Sequence, residues 1–172
     1  MHLSKIEPQT LYLLLEDIAR EAQAIFWMMT PDYKNQLYVS ANFKEIWGRS
    51  CEQLYLYPES WITTLNANDR DNVSQLMQSR IDQKPQSNQP TYCKSMLFRA
   101  EKPNGDVLFI RDRAFIISNE NQPPLLAGIG QVLSAHEWAF EKDLQVITNE
   151  HHNHPLEQAL ITIMRRVLSQ RI

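Results

Sequence analysis

The chain has 172 residues and a formal net charge of -3, so there is no electrostatic case for a nucleic-acid partner. Hydrophobic residues make up 43% of it, enough for one packed core, and the length is that of one domain with flanking segments. No apolar run reaches a membrane span, no signal-peptide pattern opens the chain, and Cys51 and Cys93 are too few for a disulfide framework, so a soluble protein of the reducing cytoplasm is expected.

After Pro8, Leu11, Leu15, Ile18 and Ala22 recur at i, i+4, i+7 and i+11, with Glu16, Asp17, Arg20 and Glu21 on the other face, which predicts an amphipathic helix. Ala24 to Thr30 is a short apolar run, Pro31 to Asn35 a turn cluster, and Gln36 to Ser40 extended again, a β-hairpin pattern. Ala41 to Gly48 follows as a short helix with Phe43, Ile46 and Trp47 on one face and Gly48 as its C-terminal cap. Arg49 to Asn68 is irregular, with Pro58, Trp61, Ile62 and Leu65 turned inward. A helix starting at Asn68 or Asp69 carries the stripe Val73, Leu76, Met77 and Ile81. Lys84 to Pro90 is a loop. Strands are expected over Tyr92 to Ala100, Asp106 to Ile117 and Leu125 to Ser134, the first two joined by an Asn104-Gly105 turn. A helical tail follows, in which Leu133, Phe140 and Ile147 are seven apart and Leu156, Leu160, Ile163 and Val167 form a last stripe. The order predicts an α+β fold: a five-stranded antiparallel sheet, short helices on one face and flanking helices at both ends.

Specific segments in this order resemble the PAS family as found in bacterial sensor histidine kinases and diguanylate cyclases. "FWMMTPDYKNQLYVSANFKEIWGRSCEQL" is similar to the family's opening strand, Asp-containing turn and "YVN-x-x-F" segment. "NANDRDNV" stands where the family has "HPEDR-x-x-V", keeping Asp69 and Arg70 but placing Asn66 and Ala67 where His and Pro would be. "FRAEKPNGDVLFIRDRAFIISNENQPPLLAGIGQV" is similar to the family's closing strands. The resemblance covers about two-thirds of the chain and implies residues 1–23 as an N-terminal helix, 24–134 as the PAS domain and 135–172 as a helical tail. Family members commonly end the last strand with "D-I-T", whose aspartate helps couple the domain to an output helix. Here Val132, Leu133 and Ser134 occupy those places, so that salt bridge does not carry over.

Several residues invite chemistry. The light-sensing LOV branch holds a flavin beside a cysteine in "G-x-N-C-R-F-L-Q"; Gly48 and Cys51 match that spacing, but Ser50, Glu52 and Gln53 replace the neighbours. Glu52 also disfavours a thiolate, so Cys51 is expected to be inert. Haem usually needs an imidazole ligand, and His2, His136, His151, His152 and His154 all lie outside residues 24–134. Neither flavin nor haem is expected. The His151, His152 and His154 cluster could ligate a metal, but loop histidines are more often solvated, and none is expected. The same stretch aligns Glu150 with the phosphoacceptor position of histidine kinases, which argues against autokinase activity. Alternation in "RDR" sends Arg111 and Arg113 to one sheet face and Asp112 to the other. That fits a solvated face with cross-strand ion pairs, or one polar group fixing a ligand in an apolar pocket.

Phe26, Met28, Phe43, Trp47, Trp61, Met77, Phe98 and Phe115 are the candidate ligand-pocket residues, although the same set would fill a core. No catalytic pairing is visible. The resemblance therefore implies a non-enzymatic sensory and dimerisation module of bacterial signal transduction, binding a small ligand or a protein partner. Two alternatives stay open: the N-terminal input domain of a larger kinase or cyclase, and an enzyme using the cavity. A start at Met1 suggests a natural beginning, while the end at Ile172 leaves room for a longer protein. A homodimer is expected through Leu11, Leu15, Ile18, Phe140 and Ile147, unless the N-terminal helix instead covers the open sheet face of its own chain.

Overall fold

Six antiparallel strands form one sheet: β1 (Ala24–Met29), β2 (Gln36–Val39), β3 (Thr91–Tyr92), β4 (Met96–Glu101), β5 (Val107–Asn119) and β6 (Gln122–Leu133). The computed structural model describes residues 7–85, 90–119 and 122–147. Across the sheet the order is β2-β1-β6-β5-β3, with β4 also paired to β5. Hairpins organise it, the longest being β5–β6, paired from Phe109↔Leu133 to Asn119↔Gln122. The other two are β1–β2 and β4–β5, whose turn has Gly105 at φ 88°. The helices are α1 (Pro8–Glu21), α2 (Phe43–Trp47), α3 (Cys51–Leu56), α4 (Arg70–Asp82) and α5 (Ala135–Ile147), with 3-10 turns at Ser60–Thr64 and Ala67–Asp69.

The expected α+β class is the observed one, but the sheet has six strands rather than five. The strand expected over Tyr92 to Ala100 is broken between β3 and β4. The cause is local: the Lys94 carbonyl accepts from Arg80 Nη2 at 3.1 Å. Leu133 also departs from expectation, because it closes β6 and is buried, so no heptad starts in the tail helix.

Period-two alternation gives the sheet two apolar faces. Ile25 on β1, Phe98 on β4 and Ile110 on β5 meet Phe43, Trp47, Leu54 and Val73 from the helices between β2 and β3. On the reverse face, Phe26, Met28, Phe115 and Ala127 pack against Leu15 and Ala19 of α1, with Ile18 at the margin. Leu11 and Leu15 are thus buried in their own chain, which corrects their expected place in a dimer interface. Ile18 is half-buried on the same side, and the α1 face turned outward carries Leu13 and Leu14.

Polar bonds fix α1 in place. Buried Glu16 accepts from Tyr38 Oη at 2.7 Å and from the Ala41 amide at 2.8 Å. Asn42 Nδ2 donates to the carbonyls of Ala19 at 3.0 Å and Ala24 at 2.8 Å, tying the end of α1 to the start of β1. Removing a buried side chain leaves a cavity whose lining cannot fully relax, whereas an exposed one leaves none. Leu15→Ala should therefore cost about 3 kcal/mol in urea unfolding. Leu14→Ala should stay within about 0.5 kcal/mol. Equal losses at both positions would show that α1 does not dock as described.

Candidate functional site

The helices α2 to α4 leave a cavity of about 70 Å³ against the sheet. Its walls are largely apolar: Ile25, Val39, Phe43, Trp47, Leu54, Trp61, Met96, Phe98 and Ile110. Phe43 and Trp47 stack at 5.4 Å between centroids, and Trp61 leans on Phe98 at 5.7 Å. Polar groups come from Gln36, Trp27, Tyr33, Arg80 and Asp112.

Arg80, near the end of α4, is only 1% exposed, and its Nη1 donates to Asp112 Oδ2 at 2.7 Å. Nη2 reaches the carbonyls of Lys94 at 3.1 Å and Asp112 at 3.3 Å, and Nη1 also approaches Tyr33 Oη at 3.4 Å. Burial opposes the guanidinium charge, yet the Asp112 carboxylate and then Tyr33 outweigh it and hold the Arg80 pKa above its ordinary value. The other Asp112 oxygen accepts from Trp27 Nε1 at 2.7 Å. Burial pushes the Tyr33 hydroxyl up to about 12 and the neighbouring Cys93 thiol up to about 11, so both are neutral at pH 7.

A glycine makes this cluster possible. Trp27 stands on β1 and Asp112 on β5, with β6 between them, so the indole must cross β6. It crosses at Gly128, where an added Cβ would lie 2.4 Å from Trp27 Cζ2 and 2.6 Å from the Arg113 carbonyl oxygen. No other residue fits there.

Of the pocket residues expected from the sequence, Phe43, Trp47, Trp61 and Phe98 line this cavity. Phe26, Met28 and Phe115 do not: they point to the reverse face, under α1. Strand alternation is the reason, because Ile25, Trp27 and Met29 are the β1 residues on the cavity side. Met77 packs at the edge of two core clusters, away from the lining. Arg80, Tyr33 and Gln36 were not anticipated, and Asp112 takes the cavity side that alternation in "RDR" allowed.

On the reverse face, α5 docks through charge and aromatic contacts. Ser134 and Glu137 form a capping box: the Glu137 amide donates to Ser134 Oγ at 3.2 Å, and Glu137 Oε2 accepts from the Ser134 amide at 2.8 Å. Trp138 packs on Phe109 at 5.4 Å and lies under the Arg99 guanidinium at 5.2 Å. Arg111 pairs with Glu141 of α5 and with Gln131 of β6. Arg99 also grips Asp69, at the start of α4, through its amide, Nε and Nη2, all at 2.8–2.9 Å. Burial would raise the Asp69 carboxyl, but these bonds win and hold it below the ordinary carboxylate value. Phe140 is exposed on α5, whereas the Ile147 side chain, His2 and the His151, His152 and His154 cluster lie outside the described residues. Among the described residues no group of histidine, cysteine and carboxylate side chains could hold a metal ion.

The PAS fold model matches residues 36–129, more than half of the chain, and the chain belongs to the PAS fold family. No curated protein matches it. Among solved structures, it is similar to a sensory box histidine kinase/response regulator from Burkholderia thailandensis, with 20% identity, a TM-score of 0.51, and 77% of this chain and 92% of that one covered. The N-terminal domain of a diguanylate cyclase with PAS/PAC sensor from Marinobacter aquaeolei is similar at 17% identity and a TM-score of 0.52, covering 66% and 98%. The blue-light photoreceptor domain Aureochrome1 LOV is similar at 13% identity and a TM-score of 0.54, covering 77% and 92%.

The residues present do not fit a flavin. The cavity is far below the several hundred Å³ (roughly 300 or more) of a cofactor pocket. Cys51 lies outside its lining, at the start of α3, and burial followed by the Glu52 carboxylate raises its pKa. Haem lacks an imidazole there, since His136, the one histidine among the described residues, stands exposed on α5.

Breaking one half of a buried ion pair strands the other charge, while replacing both halves by apolar groups does not. Asp112→Leu should therefore cost about 3–5 kcal/mol in urea unfolding. The double change Arg80→Met with Asp112→Leu should recover most of that loss. A double variant no more stable than the single one would show that Arg80 and Asp112 are not coupled.

Proposed function

We propose that the chain is a non-enzymatic sensory module of bacterial signal transduction, in which a small ligand in the cavity, or a protein partner, is reported through α5. The observation that carries this reading is an adjacency on β5. Asp112 faces the cavity and is clasped by Arg80, while its neighbour Arg111 faces the other way and is paired with Glu141 of α5. A tilt of β5 at the cavity therefore acts on α5 in the same movement. A second route runs along α4, from Arg80 at one end to Asp69 at the other, and on through Arg99 to Trp138. Together these contacts replace the strand-end aspartate whose place Val132 holds. Solved domains of similar fold come from a histidine kinase and a diguanylate cyclase, which favours the chain as the input piece of such an output.

Catalysis is disfavoured by the way the cavity's carboxylate is used. Asp112 spends both oxygens, on Trp27 and on Arg80, and the nearby Tyr33 and Cys93 are held neutral. No bound flavin or haem enters this reading. No helix among the described residues is long and apolar enough to cross a membrane. With Leu11 and Leu15 covered, a homodimer would form through the outward α1 face, Leu13 and Leu14, and through Phe140. Phe140→Glu with Leu13→Glu should then convert a sedimenting dimer into a folded monomer. A wild type already monomeric at about 50 μM would overturn the dimer, since a signalling dimer weaker than that is barely populated.

Filling the cavity from within substitutes for a ligand. A Cβ at Gly130, which lines the cavity, would meet nothing closer than Ile110 Cγ2 at 3.8 Å, so a side chain can start there without a clash, and Gly130→Val extends it into the cavity. In that variant the amides of α5 should change hydrogen-exchange protection by on the order of tenfold. With Arg111→Met added, the response should shrink. Identical exchange of α5 in the wild type and Gly130→Val would sink the relay.

A further inference from the structure

The cavity's dimensions, its charge balance and one buried unpartnered donor define what it can hold. This inference rests on the cavity being the sensory site. An apolar cavity of about 150 Å³ takes a benzene ring. Here there is about 70 Å³, which limits an occupant to about four heavy atoms without movement of the walls.

Polarity narrows the class further. Arg80 Nε is buried and has no hydrogen-bond partner, although both terminal nitrogens of the same guanidinium are fully engaged. Trp27 Nε1 is committed to Asp112, and Gln36 Nε2 to the carbonyls of Met28 at 3.2 Å and Tyr38 at 2.6 Å. Arg80 Nε–H is therefore the one buried side-chain donor without a partner among the residues that line the cavity. Leaving it unmade costs the full desolvation of that group, so an acceptor is favoured beside it.

Charge decides between acceptors. Arg80 and Asp112 already neutralise each other at 2.7 Å. A carboxylate ligand would add an uncompensated negative charge to an apolar enclosure, and an ammonium or amidinium would add a positive one beside Arg80. A neutral molecule adds neither. We infer that the cavity binds a small neutral aliphatic molecule with one hydrogen-bond acceptor, such as a short ketone or alcohol, its oxygen on Arg80 Nε.

Four isosteric probes of this size separate the possibilities: acetone, isobutene, acetate and acetamidinium. Each is titrated into the full chain while the Nε–H resonance of Arg80 and the indole N–H resonances of Trp27 and Trp47 are followed by NMR. A four-atom ligand gains at most about 6 kcal/mol, so millimolar affinities are the scale to cover. Acetone should shift the indole signals saturably and move the Arg80 Nε–H signal with the same midpoint. Isobutene should move the indoles and leave Arg80 Nε–H in place. Acetate and acetamidinium should bind at least about tenfold more weakly than acetone. Gly130→Val, which places its side chain in the cavity beside Ile110 and Ile25, should abolish the acetone response. Acetate binding as tightly as acetone, or acetone binding without moving Arg80 Nε–H, overturns the ligand class while leaving the cavity as a site. If neither acetone, isobutene nor xenon under pressure perturbs any cavity resonance, the cavity is not a binding site, and the sensory reading of it falls as well.

Discussion

The Arg80–Asp112 ion pair is the constraint around which the domain is arranged. Two unit charges taken out of water cost several kcal/mol each, and their attraction offsets this only when the remaining hydrogen-bonding capacity is also used. That requirement propagates outward. Asp112 needs a second donor, so Trp27 must reach across β6, and β6 must carry glycine at 128. Arg80 needs further acceptors, so the Lys94 carbonyl turns away from strand pairing and Tyr33 is drawn into the core. Tyr33 sits at φ 60°, a left-handed conformation that a bulky side chain adopts only when its surroundings hold it there. One charge pair thus accounts for a glycine, a broken strand and a strained turn.

The reverse face of the sheet is organised differently. There the contacts join the domain to its flanking helices, and polar groups specify where those helices sit. Glu16 and Asn42 locate α1 by bonds to backbone groups, and Arg111 and Trp138 locate α5 by side chains on β5 and β4. Because strand residues alternate, each β5 position that faces the cavity has a neighbour that faces the other layer. In the proposed relay the sheet itself is the transmission element, about one side-chain layer thick on each side.

Much of this was legible in the sequence. Turn signals and alternation located five of the six strands, and the α2 stripe of Phe43 and Trp47 marked real cavity walls. The failures have physical causes. Phe26 and Met28 face away from the pocket that the sequence suggests for them, because an apolar run such as "AIFWMM" has no polar position to show which face is which; only the pairing with β6 decides it. Arg80 gives no signal by residue type alone, because arginine is normally solvated. Yet it lies seven residues after Val73, on the buried stripe of α4, whereas Ile81, which the apolar periodicity favours for that place, is exposed. The clue lay in two signals together, an Arg on a helical stripe and an Asp inside an apolar strand. The stripe of α1 was read correctly as needing cover, but hydrophobic periodicity does not say whose surface provides it.

The edges of the sheet carry a consequence for assembly. A strand edge with unspent amides and carbonyls invites another chain to pair with it. On β2 the outward Val39 amide is bonded to Tyr55 Oη at 3.2 Å, and Gln36 folds its amide back onto the Tyr38 carbonyl. The opposite edge is interrupted at Cys93 to Ser95, where Arg80 takes a carbonyl that a strand partner would need. Neither margin therefore offers a continuous template for β-augmentation. The same ion pair that shapes the interior also interrupts the edge that open-ended strand addition would use.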